Sequence, residues 1–149
     1  MTLKQKIHQH YLQQVQDNID AIRDMIVALT EESRNDAKSS AGDKHETALS
    51  MMHIEQERLN RKISEYLEQK AILEKIDSTI LSKKVILGSL VKANKMYFFV
   101  STAFPKINID QIIIFAVSPQ SPLGSQLMGK GVGFEFAING IKYLIEAIK

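Results

Sequence analysis

The chain has 149 residues, a formal net charge of +2 and no cysteine. The absence of cysteine excludes disulfides, thiolate metal sites and thiol nucleophiles, and no apolar run approaches the roughly 20 residues of a membrane-spanning helix. The polar N-terminal residues contain no apolar signal-peptide region, so we expect a cytoplasmic protein that has no membrane partner.

The charge is divided unevenly along the chain. Residues 1–77 carry 11 Lys+Arg against 14 Asp+Glu, a balance of −3, whereas residues 78–149 carry eight lysines against three acids, a balance of +5. The composition changes at the same place, because all three prolines and six of the seven glycines follow residue 77. We therefore expect two parts with different roles, residues 1–77 and residues 78–149.

The first part contains two stripes of apolar residues that are spaced alternately three and four apart. The first stripe consists of Leu12, Val15, Ile19, Ile22, Ile26 and Leu29, and the second of Met52, Leu59, Ile63, Tyr66 and Leu73. Polar Gln56 and Lys70 interrupt the second stripe. Such a stripe is typical of a helix that buries one narrow face against a partner. The pattern predicts helices over residues 4 to about 34 and 46 to about 76, paired as an antiparallel coiled-coil hairpin.

The break between the two helices carries acidic residues, so the hairpin has an acidic tip near residues 35–46. Asp43 and Glu46 are three residues apart and share one helix face if the second helix begins near them. One interpretation is helix capping, in which Asp43 is the N-cap and Glu46 the third helical residue, worth about 0.5–2 kcal/mol. The other is that both carboxylates bind a cation. From the residues alone, capping is the favoured interpretation.

The second part predicts a small antiparallel sheet with one short helix. Apolar runs rich in β-branched and aromatic residues predict strands at 85–91, 96–100, 112–117, 133–138 and 141–145. Asn139-Gly140 predicts a two-residue hairpin turn between the last two strands. Ser121 and Pro122 are a typical N-cap and first helical residue, and Gly129 is a typical C-terminal stop. The predicted fold class is therefore α+β.

Two motifs resemble the Gre family of bacterial transcript-cleavage factors, and the resemblance covers nearly the whole chain. The family's hairpin tip typically reads Gly-Asp-x-x-Glu-Asn-Ala-Glu-Tyr, and this chain has Gly42-Asp43-Lys44-His45-Glu46-Thr47-Ala48-Leu49-Ser50. The family's C-terminal domain typically contains Ser-Pro-x-Gly-x-x-Leu-x-Gly-Lys, and residues 121–130 match each fixed position. The resemblance implies an N-terminal helical hairpin followed by an FKBP-like domain.

The resemblance also implies a function. A protein of this family is a transcription elongation factor that binds bacterial RNA polymerase on DNA and inserts its hairpin into the secondary channel. There it stimulates the polymerase's own cleavage of backtracked RNA, so it has no catalytic residues of its own. Asp43 and Glu46 match the positions that help to hold a second Mg²⁺, an ion that prefers six oxygen ligands and activates water. The resemblance implies no cofactor bound by the chain alone, Mg²⁺ only in the polymerase active site, a monomer, and only indirect contact with the 3′ end of the nascent RNA.

Further residues receive roles by the same resemblance. Lys44 and His45 are candidate tip contacts, and a candidate polymerase-docking motif consists of Ser121, Pro122, Gly124, Leu127, Gly129 and Lys130. Arg58, Arg61 and Lys62 are candidate RNA contacts, although charges of alternating sign on this helix more simply predict a solvated face. His8 and His10 point to different helix faces, cannot chelate a metal together, and are expected at the surface.

Two alternatives remain open because the chain departs from the family pattern. Thr47, Leu49 and Ser50 replace the family's Asn, second Glu and Tyr at the tip, and residues 102–106 replace an acidic-aliphatic stretch. One alternative is a regulator that occupies the polymerase channel without supporting cleavage. The other is an FKBP-like peptide-binding module with a dimerisation arm, which requires a cleft lined by aromatic side chains. The available rings are those of Phe98, Phe99, Phe104, Phe134 and Phe136, and strand alternation places much of this set in a core.

Overall fold

The computed structural model confirms the predicted α+β class, with a long helical hairpin followed by a six-stranded, mostly antiparallel sheet and one short helix. It describes the backbone of residues 1–39 and 43–149 and the side chains of residues 1–35 and 46–149. Contacts divide the chain into two units, one of Met1–Leu12 with Ala71–Lys149 and the other of Gln13–Lys70. The FKBP-like label stays a prediction.

The hairpin consists of α1 (Leu3–Ser39) and α2 (Asp43–Glu74). Both predicted stripes are buried or half-buried, with Val15, Ile19 and Leu59 almost completely inaccessible to solvent. Both helices extend closer to the break than predicted. No proline or glycine precedes Gly42, so nothing in the sequence stops α1 where its apolar stripe ends. At about 1.5 Å per residue, the 37 residues of α1 span roughly 55 Å.

The sheet contains six strands in the spatial order β3-β4-β2-β1-β6-β5. In chain order the elements are β1 (Leu90–Ala93), β2 (Met96–Val100), β3 (Ile107–Ile109), β4 (Ile112–Val117), α3 (Pro122–Leu127), β5 (Glu135–Ile138) and β6 (Ile141–Ile148). All neighbouring strands are antiparallel except β2 and β4, which are parallel. The core on one face includes Val91, Phe98, Leu127 and Ile145. The predicted bounds of β2 and β4 agree with the structure.

Three of the strand pairs are joined by two-residue turns. The turns are Asn94-Lys95, Asp110-Gln111 and Asn139-Gly140, and all six residues have positive φ angles. Two consecutive positive φ angles define the type I′ turn, whose twist matches that of the strands it joins. The predicted hairpin at Asn139-Gly140 is therefore present. β3 was not predicted, because it has only three residues and its turn lacks a glycine.

The single strand predicted over residues 85–91 is interrupted. Gly88 has a φ of +92°, and the N–H of Ser89 donates to the carbonyl oxygen of Ile86 at 3.0 Å, which closes a turn. A β-carbon at Gly88 would lie 2.5 Å from Cγ2 of Ile76, so glycine is required both for its backbone angle and for the space. Val85 pairs instead with the segment after α3, and β1 begins at Leu90.

The first turns of α1 are anchored to the same unit as the sheet by aromatic contacts. The Tyr11 ring stacks on Phe104 with centroids 4.7 Å apart, and its hydroxyl donates to the carbonyl oxygen of Pro105 at 3.1 Å. The surface location expected for His8 is wrong, because its ring is half-buried and its Nε2 is hydrogen-bonded to the carbonyl oxygen of Leu73 at 2.7 Å. Helix periodicity showed which face His8 occupies, but not that the face is covered.

Two lysines in the first turns of α1 make further contacts within this unit. Lys4 is buried and its ammonium donates to the carbonyl oxygen of Ile80 at 2.6 Å; burial lowers the pKa of Lys4. Lys6 forms an exposed ion pair of 2.8 Å with Asp110 at the turn between β3 and β4. Among the described residues, no helix is long and apolar enough to cross a membrane.

Candidate functional site

The acidic motif lies at the hairpin turn. α1 ends at Ser39 and α2 begins at Asp43, so the backbone of Asp43 and of Glu46 belongs to the first turn of α2. Glu46 is exposed. A carboxylate in the first turn also interacts favourably with the helix dipole. Gly42 and the side chains of Asp43, Lys44 and His45 lie outside the described residues, so the capping and the metal-binding interpretations both stay predictions.

Of the two candidate Mg²⁺ ligands, Glu46 alone has a described side chain. An exposed carboxylate such as that of Glu46 is a hard oxygen ligand and fits part of an octahedral shell whose other ligands come from water and a partner. Among the described side chains, no group of three or more His, Asp or Glu residues is close enough together to hold a metal ion.

The three candidate RNA-contacting residues lie on the exposed surface of α2. Arg58 binds Glu55 with its Nε 3.0 Å from Oε2, and this hydrogen bond lowers the pKa of Glu55 and raises that of Arg58. Lys62 lies 3.6 Å from a carboxylate oxygen of Glu65. Arg61 is exposed and has no ion pair among the described residues. Exposed pairs of this kind contribute little to stability, so the solvated-face interpretation fits and the RNA role stays a prediction.

The motif at residues 121–130 begins with a helix cap. The Ser121 Oγ accepts the N–H of Gly124 at 3.0 Å and donates to the carbonyl oxygen of Ser118 at 2.7 Å. Pro122, the first residue of α3, lacks the N–H that a first helical residue would leave unpaired. The Ser-Pro pair therefore both starts the helix and closes the loop before it.

The middle of the motif is fixed by packing. A β-carbon at Gly124 would collide with the carbonyl oxygen of Ser118 and with the Ser121 Oγ, so only glycine lets α3 approach the preceding loop. Leu127 is completely buried in the core of the sheet. Both residues have a role in folding that requires no partner.

The end of the motif is a turn that pairs with the segment before β1. Gly129 has a φ of +77°, and its N–H donates to the carbonyl oxygen of Val85 at 2.9 Å. The carbonyl oxygen of Lys130 accepts the N–H of Val85 at 2.8 Å. The Lys130 ammonium lies 4.8 Å from the centroid of the Phe134 ring, and the side chain stays exposed. Pro122, Gly129 and Lys130 are the exposed members of the motif, and their docking role stays a prediction.

The aromatic rings are largely used in packing. Phe98 and Phe99 are buried, and Phe136 stacks on Tyr143 with centroids 5.1 Å apart. A shallow depression of about 650 Å³ is lined by Phe136 and Tyr143 together with polar Asn94, Glu135 and Lys142. This depression is mixed in character rather than a cleft walled by aromatic faces.

The eight lysines of residues 78–149 are spread along the sequence, and the structure brings two of the segments that carry them side by side. An isolated antiparallel bridge joins Lys84 to Gly131, so the backbone segment of Lys83 and Lys84 runs beside the segment that contains Lys130. The sequence carries no local signal for this neighbourhood, because the two segments are far apart in the chain and meet only through the fold.

No protein-family model matches the sequence, and no curated protein matches it. A solved structure described as the structure of the transcription factor Gfh1 is similar over 92% of both chains, with 18% sequence identity and a TM-score of 0.36. A likeness of this degree carries no argument about function.

Proposed function

We propose that this protein is a cytoplasmic transcription elongation factor of the Gre type, which binds bacterial RNA polymerase as a monomer and stimulates cleavage of backtracked RNA. One observation supports the proposal above the others. The two acids of the Gly-Asp-x-x-Glu motif occupy the first turn of α2, directly after the break in a long helical hairpin. The acidic motif and the break between the two helices therefore fall at the same position in the chain. The second motif, residues 121–130, independently forms α3 and its caps.

The proposed mechanism assigns the chain a supporting role. A hairpin with helices of 37 and 32 residues gives its turn the reach to enter a channel of the polymerase. In this proposal Asp43 and Glu46 present carboxylate oxygens there. Asp43 and Glu46 would help to hold a second Mg²⁺, and that ion, when bound, would supply an activated water for hydrolysis of a phosphodiester. The chain contributes ligands and orientation, and the polymerase contributes the chemistry.

The positive second part of the chain serves as the anchor in this proposal. Residues 78–149 carry a net charge of +5, and long-range attraction between charges accelerates association with an acidic surface. Exposed charges are screened within about 8 Å at physiological ionic strength.

A binding experiment tests the partner. Purified chain mixed with cognate RNA polymerase is expected to co-elute with it in size-exclusion chromatography at about 0.05 M salt and to dissociate progressively as salt approaches about 0.5 M, because screening shortens the range of attraction. Serum albumin, an acidic protein of unrelated shape, serves as the control and is expected not to co-elute. No co-elution with polymerase at low salt would contradict the proposal.

The residues at which the hairpin tip differs from the family pattern suggest an alternative function. Thr47, Leu49 and Ser50 stand where the family has Asn, Glu and Tyr, so a chain that binds polymerase without promoting cleavage would be a regulator that occupies the channel. Binding alone does not separate the two functions; a cleavage assay does.

A further inference from the structure

The two outer strands of the sheet differ in how easily a further strand can pair with them. Both β3 and β5 have a neighbouring strand on one side only. β3 has three residues and follows directly after Pro105 and Lys106; short length, proline and lysine all discourage edge pairing. β5 has four residues and contains neither proline nor lysine. Of these two outer strands, β5 therefore has the more open edge.

The register of the last hairpin shows which backbone groups of β5 point away from the sheet. The two-residue turn after Ile138 makes this residue a hydrogen-bonded partner of Ile141. Along an antiparallel pair, hydrogen-bonded and non-hydrogen-bonded positions alternate. Ile138 and Phe136 therefore bond to β6, whereas the N–H and C=O groups of Glu135 and Ala137 point outward.

Contacts on the far side of β6 agree with this alternation. The Asn94 side chain donates to the carbonyl oxygen of Lys142 at 2.5 Å and accepts the N–H of Leu144 at 3.1 Å. The backbone groups of Lys142 and Leu144 thus point away from β5. Ala137 and Glu135 are the residues opposite them, and both are exposed. The outward N–H and C=O groups of these two residues have no partner in the described part of the chain.

The side chains near this edge indicate what an added strand would meet. Successive side chains of a strand alternate between the two faces of the sheet. On one face Phe136 and Ile138 are half-buried, and the neighbouring Ile141 is 54% exposed. On the other face Glu135 is exposed and forms no ion pair with any described residue. The depression that Glu135, Phe136 and Ala137 help to line leaves space for further side chains at this edge.

We infer that β5 is a docking edge for an extended peptide segment in which apolar residues alternate with basic ones. The backbone of the segment pairs with Glu135 and Ala137 and continues the sheet. Residues directly opposite one another on paired strands share a face, so apolar side chains pack beside Phe136 and Ile138 and basic ones face the Glu135 carboxylate. A helix uses its backbone groups internally and cannot replace the strand. The inference goes beyond the proposed function and does not depend on it, because it involves no polymerase.

Amide hydrogen exchange of the full chain tests the inference. The probe is a short capped peptide of alternating valine and lysine. Without peptide, the N–H groups of Glu135 and Ala137 should exchange quickly and those of Phe136 and Ile138 slowly, because only the latter bond to β6. With peptide at millimolar concentration, exchange at Glu135 and Ala137 should slow about tenfold, since both N–H groups gain a partner. A peptide of alternating valine and glutamate should have a smaller effect, because its carboxylates face Glu135.

One substitution at each outer strand provides a matched comparison. Ala137→Pro removes an outward N–H and preserves the pairing with β6, because proline is tolerated where the N–H faces away from the sheet. Asn108→Pro makes the same change at the corresponding position of β3, next to the pair that flanks its two-residue turn. We expect Ala137→Pro to abolish the effect of the peptide at Glu135, and Asn108→Pro to leave it unchanged. Glu135→Lys should reverse the preference between the two peptides. Circular dichroism verifies folding, and the wild-type exchange decides the question if a variant does not fold.

Three results would overturn the inference. Unchanged exchange at Glu135 and Ala137 at every concentration of the lysine peptide would mean that β5 does not accept a strand. Equal slowing at Asn108 would mean that the peptide does not distinguish β5 from β3. Slowing at Glu135 that increases with protein concentration in the absence of peptide would show that the occupant is a second copy of this chain.

Discussion

Gly124 shows how a residue in the C-terminal motif is determined by local geometry. Its position allows α3 to lie against the carbonyl oxygen of Ser118, and the Ser121 hydroxyl binds both Ser118 and Gly124. Each of these residues would be required by the fold in the absence of any partner. Folding alone therefore explains why these residue types stand at these positions, and their docking role stays a prediction.

Replacing Gly124 by alanine tests this interpretation. The added methyl group has no space beside the carbonyl oxygen of Ser118, so Gly124→Ala is expected to lower the free energy of unfolding by about 2 kcal/mol or more. Gln126→Ala, an exposed position on the same helix, should change it by less than about 0.5 kcal/mol. Chemical denaturation of both variants measures the difference, and similar stabilities would contradict the close approach.

Tyr11 gives a prediction for the pH dependence of stability. Burial raises the pKa of the Tyr11 hydroxyl to about 12, whereas a tyrosine in the unfolded chain titrates near pH 10. Because the folded-state pKa is the higher one, the contribution of Tyr11 is complete below about pH 10 and is lost as pH rises toward 12. The stability advantage of the wild type over Tyr11→Phe, about 1 kcal/mol at neutral pH, should therefore shrink above about pH 10. Urea denaturation along a pH series measures it, and a constant difference would contradict the assignment.

At the level of elements, the helices follow from their apolar stripes. The residues predicted to face the partner helix are buried or half-buried, while Leu67, which lies outside the stripe, is 43% exposed. An apolar stripe that repeats over many helical turns stays recognisable despite single polar residues such as Gln56 and Lys70. For this reason the two long helices could be predicted from sequence.

Replacing leucine by alanine at two positions of α2 tests which face of the helix is buried. Leu59 is 2% exposed, so Leu59→Ala should destabilise the hairpin by about 2–5 kcal/mol through lost burial and the cavity it leaves. Leu67→Ala removes the same atoms from a largely solvated position and should cost less than about 1 kcal/mol. Thermal unfolding followed by circular dichroism compares them; equal losses would mean that the stripe has been placed on the wrong face.

Shorter elements were predicted less well, for identifiable reasons. The runs at β2 and β4 are apolar throughout and are bounded by turn residues, so their ends were visible in the sequence. The run 85–91 is apolar except at Gly88 and Ser89. The chain turns there, because Gly88 adopts a positive φ at a position where Ile76 leaves no space for a β-carbon. Contacts such as those of Tyr11 with Phe104 and of Lys84 with Gly131 join distant segments. No short stretch of the sequence contains both partners of either contact.

At the scale of the whole molecule, the proposed function separates into two tasks carried by different residues. Asp43 and Glu46 at the hairpin turn are assigned the ligand role, and the positively charged residues 78–149 are assigned the docking role. Substitutions at the turn should therefore change cleavage without changing binding, and charge reversals among the exposed lysines of residues 78–149 should weaken binding first. This separation allows each assignment to be tested by itself.

The most direct test of the central claim is RNA cleavage in stalled polymerase complexes that contain labelled nascent RNA. The wild-type chain is expected to stimulate cleavage, and Asp43→Asn or Glu46→Gln to abolish the stimulation with binding unchanged, since an amide lacks the charge that Mg²⁺ favours. Glu57→Gln, an exposed acid on the same helix, should retain full activity. Capping alone makes the opposite prediction, because asparagine caps a helix as well as aspartate does. Full stimulation by Asp43→Asn, or no stimulation by the wild type at any Mg²⁺ concentration, would contradict the account, and the second result would favour a regulator that occupies the channel.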